Sequence, residues 1–277
     1  MSSKERRRKE LVRAKVERQA RRRAERHRRR QRVRILLAVA AVLVLAGGGT
    51  AWALWLNDDD SSDTAAASTD EPTEEAPVEE PVEDPCAAPA EGSPSGDQWD
   101  AEPELTVDTE TPQLMRLATT CGDIELTLDP AAAPRTVNSF AFLAGEGYLD
   151  HTPCHRLTTE GIYVLQCGDP TGTGQGGPGY QLPDENLDAP EVAEGVYPAG
   201  TVAMANSGPD TGGSQFFLVY QDSQLPADYT PFGQITAGFD VLETIAGAGS
   251  AAPDPTSGNT APNATVVINE ATVEPAA

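Results

Sequence analysis

Residues 204–217 read Met-Ala-Asn-Ser-Gly-Pro-Asp-Thr-Gly-Gly-Ser-Gln-Phe-Phe. A short apolar strand end leads into a turn-forming run at 207–212, and a second strand starts at Phe216. Pro209 and three glycines punctuate the stretch, and Asn206 and Gln215 sit where a turn aims their amides sideways. Taken alone it is a hairpin loop. What it means depends on the strands around it and on the polar residues that share its face.

Working outward, in–out alternation predicts strands over 114–118 and 124–128, with further strands at 162–165, 201–205, 216–219 and 266–268. Two helices are expected. One starts at Pro134, carries Val137, Phe140, Ala141 and Ala144 on one face and stops at Gly145. The other runs over 239–246 and ends at Gly247. Many short strands, Gly- and Pro-rich connections and only two helices predict a mainly β barrel or sandwich with capping helices.

The chain upstream has a different character. The net charge of −23 hides a split: residues 1–34 carry 17 Lys/Arg and 4 Asp/Glu, leaving 3 basic and 39 acidic residues for the remainder. Residues 1–34 read as a basic cytoplasmic arm. Residues 35–56 hold no charge and are long enough to cross a hydrocarbon core of ~30 Å as a helix. Arginines before the segment and Asp58 to Asp60 after it predict a single-pass anchor in the cell membrane, with the N-terminus cytoplasmic and the rest outside. Trp52 and Trp55 fall at its outer end. Ala51-Trp52-Ala53 keeps a cleaved signal peptide open as the alternative, although the charged start is long for one. Residues 57–103 are rich in Asp, Glu, Pro, Ala, Ser and Thr, and predict a disordered tether. The folded domain is then expected over 104–277. Its acidic charge excludes nucleic acid as its partner. The basic arm suits the anionic inner leaflet, with nucleic acid as the weaker alternative.

Several chemical motifs can be weighed. Gly172-Thr-Gly174-Gln-Gly176-Gly177 matches a dinucleotide fingerprint literally, but Pro170 precedes it and Pro178 follows, so no helix opens there. Neighbours on a strand point to opposite faces, so Cys154 and His155 do not pair as nucleophile and base. With His151 and His155 the only histidines after the basic arm, a zinc site is not expected. Arg156 stands out. It is one of three cations after residue 34, with Arg116 and Arg135, and it lies in the first strand of an apparent hairpin whose return strand places Gln166 on the same face.

Cys154-His-Arg-Leu, Gln166-Cys-Gly-Asp169, the Gly-rich loop to Tyr180, the opening stretch, and Phe232-Gly233 follow in the order of the cyclophilin-type peptidyl-prolyl isomerases. The resemblance covers roughly 113–270, and its details are similar to the membrane-anchored, extracytoplasmic bacterial branch. It implies a closed eight-stranded antiparallel barrel capped by two helices, acting on proline-containing polypeptides outside the cytoplasm as a monomer, with no cofactor and no metal. It implies Arg156 as the catalytic cation, and an apolar pocket for the proline ring made by Tyr163, Val164, Met204, Phe217 and Leu225. Gln166 would hold Arg156 or the substrate carbonyl, Asn206 and Gln215 would bind peptide backbone, Ala205 leaves room for substrate, and Tyr229 takes a rim position. A non-catalytic proline-peptide binding module or holdase using the same groove is the alternative.

The chain departs from the family's pattern at several points. Two extra residues lengthen the hairpin within 158–161, Tyr163 and Val164 replace the usual Phe and Met, and Gln224 stands where many members carry the Trp that contacts cyclosporin. Four cysteines, Cys86, Cys121, Cys154 and Cys167, allow two disulfides in three connectivities. If Arg156 and Gln166 face the pocket, alternation puts Cys154 on that face and Cys167 on the other, which predicts no Cys154–Cys167 bridge.

Overall fold

A computed structural model of the chain describes residues 84–254 and 258–276. The expected basic arm, the spanning segment 35–56 and residues 57–83 of the tether lie outside the described residues. Among the described residues no helix is long and apolar enough to cross a membrane.

Among the described residues eleven strands and three helices follow one another: β1 (Gln113–Thr119), β2 (Gly122–Leu128), α1 (Pro134–Gly145), β3 (Thr152–Pro153), β4 (Arg156–Thr158), β5 (Tyr163–Cys167), α2 (Pro190–Ala193), β6 (Val196–Tyr197), β7 (Thr201–Met204), β8 (Phe216–Gln221), β9 (Ser223–Gln224), β10 (Pro231–Ala237), α3 (Phe239–Gly247) and β11 (Val267–Pro275). Both expected helices form, and the one-turn α2 is an addition. Pro134 opens α1 at a position where its missing N–H costs nothing. The Glu185 carboxylate, reaching in from a distant loop, accepts from the Arg135 and Thr136 N–H groups at 3.1 and 2.9 Å, satisfying donors that every helix start leaves open.

Nine strands form one curled antiparallel sheet in the order β3-β11-β1-β2-β10-β7-β8-β5-β4, and β6 and β9 form a separate two-stranded ribbon. The resemblance implied a closed barrel of eight strands; the sheet instead stays open between β3 and β4. Those end strands are two or three residues long, too short to pair across the gap. The seam is bridged by loop backbone, with Leu157 N–H donating to the Thr260 carbonyl at 2.7 Å and Cys154 N–H to the Val266 carbonyl at 2.9 Å.

The pleat sorts side chains into two apolar groups. Along β8, Phe216 and Leu218 enter the main core, while Phe217 and Val219 join a smaller cluster on the outer face. Inside, Phe140 of α1 stacks on Phe232 at 4.8 Å and meets Phe216 edge-on at 5.4 Å, fixing the helix across the mouth of the curled sheet.

Two expectations need correction. Residues 84–103, assigned by composition to a disordered tether, lie against the domain: Cys86 is bridged to Cys121, and Ala87 N–H donates to the Thr120 carbonyl at 2.8 Å. Composition misreads this segment because a disulfide and one tryptophan, rather than a run of apolar residues, secure it. Cys154 and Cys167 are bridged too, with Cα atoms 4.0 Å apart. The alternation argument fails because β4 begins only at Arg156. Cys154 and His155 precede it in irregular backbone, and Cys154 turns into the core beside Cys167.

Candidate active site

Strand register assembles the site. Arg156 pairs with Gln166 across β4 and β5, Gln166 with Phe217 across β5 and β8, and Phe217 with Ala203 across β8 and β7. Paired residues share a face and neighbouring strands lie about 4.8 Å apart, so one outward row carries a cation, an amide, an aromatic ring and a small residue.

The polar end of this row is a relay. Arg156 donates from a terminal guanidinium nitrogen to Gln166 Oε1 at 3.2 Å, Gln166 Nε2 donates to Gln215 Oε1 at 2.8 Å, and Gln215 Nε2 donates to the Gly176 carbonyl at 2.9 Å. Arg116 pairs with Glu125 and Arg135 with Glu102, whereas Arg156 makes no ion pair with another described residue. Burial lowers its pKa from the usual value, with the Tyr229 phenol opposing the shift. A guanidinium stays protonated through such a shift. It has five N–H donors and spends one on Gln166, so the rest remain for a ligand.

Beside the relay lies the apolar cluster. Phe217, Val164, Ala203, Val219 and Tyr197 are buried together, and Leu225, Ile162, Ala205 and Tyr229 pack on them half-buried. Tyr229 stands edge-on to Phe217 at 5.4 Å. Tyr197 holds it from below: its hydroxyl donates to the Tyr229 carbonyl at 2.7 Å and accepts from the Tyr229 N–H at 3.2 Å. Burial pushes the Tyr197 phenol up to about 12, so it stays a neutral donor. On the other side of Gln166 and Gln215 opens a polar cleft of about 330 Å³, walled by the Gly-rich loop and by 205–215.

The structure thus brings together Arg156, Gln166, Gln215, Val164, Phe217, Leu225, Tyr229, Ala205 and Asn206. Asn206 lines the cleft and braces its loop: its Nδ2 donates to the Asp228 carbonyl at 2.7 Å and its Oδ1 accepts from Gly208 N–H. Two expected pocket residues lie elsewhere. Met204 enters the main core, because β7 is buried on both faces and Ala203, not Met204, pairs with Phe217. Tyr163 stands edge-on to Tyr220 at 5.9 Å, and Ile162 joins the cluster instead. The ladder to β8 shifts register between Tyr163 and Val164, next to the lengthened hairpin. Sequence reasoning missed Tyr197, Ile162, Ala203 and Val219. Strict alternation from Phe217 would have found Val219, whereas Tyr197 lies in a two-residue strand with no periodic signal.

The comparisons decide the family. The model of the cyclophilin type peptidyl-prolyl cis-trans isomerase/CLD family matches residues 114–273, more than half the chain. The chain belongs to this family. A probable peptidyl-prolyl cis-trans isomerase B of Mycobacterium leprae is 51% identical over 163 residues, covering 56% of this chain and 54% of that protein. Peptidyl-prolyl cis-trans isomerase B of Bacillus subtilis is 42% identical over 123 residues, covering 44% of this chain and 82% of that protein. A crystal structure of a Cryptosporidium parvum cyclophilin is 31% identical with a TM-score of 0.49, covering 60% of this chain and 99% of that one. The chain spans about half the length of the mycobacterial relatives it matches. Within the cyclophilin domain the site row and both apolar clusters fall inside the matched span, while residues 84–113 precede it.

Proposed function

We propose that the protein is a peptidyl-prolyl cis-trans isomerase that rotates X–Pro bonds in secreted or cell-envelope polypeptides and so assists their folding. The observation that carries this reading is Arg156, charged, held by Gln166 and free of any described carboxylate, beside the apolar cluster around Phe217. Rotation about the amide meets a barrier of ~20 kcal/mol and takes tens of seconds or longer uncatalysed. No bond is made or broken, so acceleration comes from holding the twisted amide more tightly than either planar form.

The apolar cluster around Phe217 anchors the ring. As the amide twists, conjugation is lost and the proline nitrogen regains a lone pair. A preorganised Arg156 donates a hydrogen bond to that nitrogen, an interaction missing from the planar ground state. The relay through Gln166 and Gln215 holds the guanidinium in place, which removes reorganisation from the step.

The anchored, extracytoplasmic setting is part of the same proposal. The uncharged 35–56 segment and the basic arm before it support it, as do two disulfides, which persist in oxidising compartments. A protease-coupled isomerisation assay on an Ala-Pro peptide tests the activity, and a catalysed rate above the spontaneous one is expected. Protease accessibility of the domain on intact cells tests the location; protection of the domain until the cells are lysed would refute it.

A further inference from the structure

We propose that residues 84–107 form a strap that acts as a specificity element, with Gln98 and Trp99 fixing the outer wall of the polar cleft and so setting the affinity for extended peptides. The proposal rests on the isomerase reading, extended to this cleft as part of the substrate site because Gln166 and Gln215 of the Arg156 relay line it. The strap precedes the family match, so it lies outside the domain that the family shares. It contains no helix or strand, yet it is secured along its length. Cys86 is bridged to Cys121, Ala90 N–H donates to Asn269 Oδ1 at 2.9 Å, and Thr106 N–H donates to Asn138 Oδ1 at 2.8 Å. Glu102 pairs with Arg135.

Its centre touches the cleft wall. Gln98 Nε2 donates to the Gly177 carbonyl at 3.2 Å, and Trp99 N–H donates to the Pro178 carbonyl at 2.8 Å. Gly177 and Pro178 line the cleft from the other side. The indole is held edge-on to Phe142 at 5.1 Å and tilted against Tyr148 at 5.6 Å, so this contact is anchored to α1 and the turn after it. Gly179 shows how closely the two segments fit. Its φ is +93°, and a Cβ there would lie 2.6 Å from the Trp99 carbonyl oxygen, so a side chain would push the strap away.

The wall needs this support. Gly174, Gly176 and Gly177 have no strand ladder, and glycine backbone is the costliest to order. Gln215 holds the Gly176 carbonyl from the pocket side, and the strap holds the next two carbonyls from the outside. The Asp169 carboxylate also accepts from the Gly174 and Gly176 N–H groups at 2.6 and 3.0 Å, so without the strap it is the Gly177–Pro178 end of the wall that loses its hold. The entropy of fixing it then falls on the binding of any peptide that reaches the cleft. A minimal Ala-Pro substrate that fills only the apolar cluster does not bear that cost.

The test compares Gln98→Ala, Trp99→Ala, Trp99→Phe and Gly179→Ala with wild type in the full chain, on a minimal Ala-Pro peptide and on a peptide extended by several polar residues on both sides. The expected result is a KM for the extended peptide raised roughly 5- to 10-fold in Trp99→Ala and Gly179→Ala, with kcat and the minimal-peptide KM within twofold of wild type and partial rescue in Trp99→Phe. Gln98→Ala removes one exposed hydrogen bond and is expected to show the same pattern more weakly, which keeps the test open if Trp99→Ala does not fold. Equal effects on both peptides, or none on either, would overturn the proposal. Arg156→Ala measured alongside separates the two claims: if it abolishes turnover while the strap variants leave peptide selectivity untouched, the strap reading fails and the isomerase reading stands.

Discussion

Replacing Gln166 by alanine isolates the relay. Gln166 gives Arg156 its one observed acceptor, at 3.2 Å, and ties that acceptor to Gln215 and Gly176. A hydrogen bond to a charged group contributes about 1.5–3 kcal/mol to placement, and the lower end applies here because the contact is long and half-exposed, so water replaces part of it. If that free energy is spent on aiming the guanidinium, about 1.5 kcal/mol corresponds to a rate loss of roughly 10- to 15-fold. The loss should fall mainly on kcat, because the Phe217 cluster proposed to seat the ring is untouched. A protease-coupled assay over a range of peptide concentrations separates the two parameters, and a melting curve checks that the fold survives. An unchanged kcat, or a loss confined to KM, would refute the claim that Gln166 acts by positioning Arg156.

Further outcomes follow from the same geometry. Tyr197→Phe removes one buried hydroxyl and strands both main-chain groups of Tyr229, so a stability loss of about 1–3 kcal/mol is expected in denaturant melts, with KM raised more than kcat is lowered. His155 is buried with neither ring nitrogen hydrogen-bonded; burial lowers its pKa, with nearby Asp169 opposing and Arg156 reinforcing the shift. The unfolded chain then holds the proton more tightly than the folded one, so this contribution is complete above about pH 6.5 and is lost as pH falls below it. Melting temperature measured from pH 7.5 downward should show that decline, and His155→Phe should flatten it. The Cys86–Cys121 bridge closes 35 residues, so a Cys86→Ala/Cys121→Ala variant should lose roughly 3–4 kcal/mol by the loop-entropy estimate; an unchanged denaturant midpoint would show that the strap docks without it.

Much of the fold was legible because it follows short-range rules. Alternation gave β1 and β2, the apolar run at 216–219 gave the start of β8, and Pro134 and Gly145 bounded α1 at its observed ends. The Arg156–Gln166 pairing was legible because a hairpin brings its two strands back in register. What failed depended on where regular structure stops. Extending the period of β4 back to Cys154 crossed the start of the strand, and so predicted the wrong face for the bridge. Met204 was carried to the pocket by the family resemblance, and its strand, buried on both faces, has no polar residue whose parity would have corrected that. β10 went unread because Pro231 and Gly233 interrupt it, though the antiparallel ladders to β2 and β7 accommodate both. The strap was hidden by composition, since a disulfide, one tryptophan and scattered hydrogen bonds leave little periodic signal.

The central claim is that Arg156 accelerates the twist rather than merely binding proline peptides. The measurement is the isomerisation rate of Arg156→Ala against wild type, with peptide affinity determined on the same samples. Loss of a donor aimed at a transition state typically costs 100-fold or more, so a kcat lower by roughly 100-fold with affinity changed only a few-fold is expected. Wild-type protein no faster than Arg156→Ala, with both binding the peptide alike, would contradict the account and leave a groove that holds proline segments without turning them.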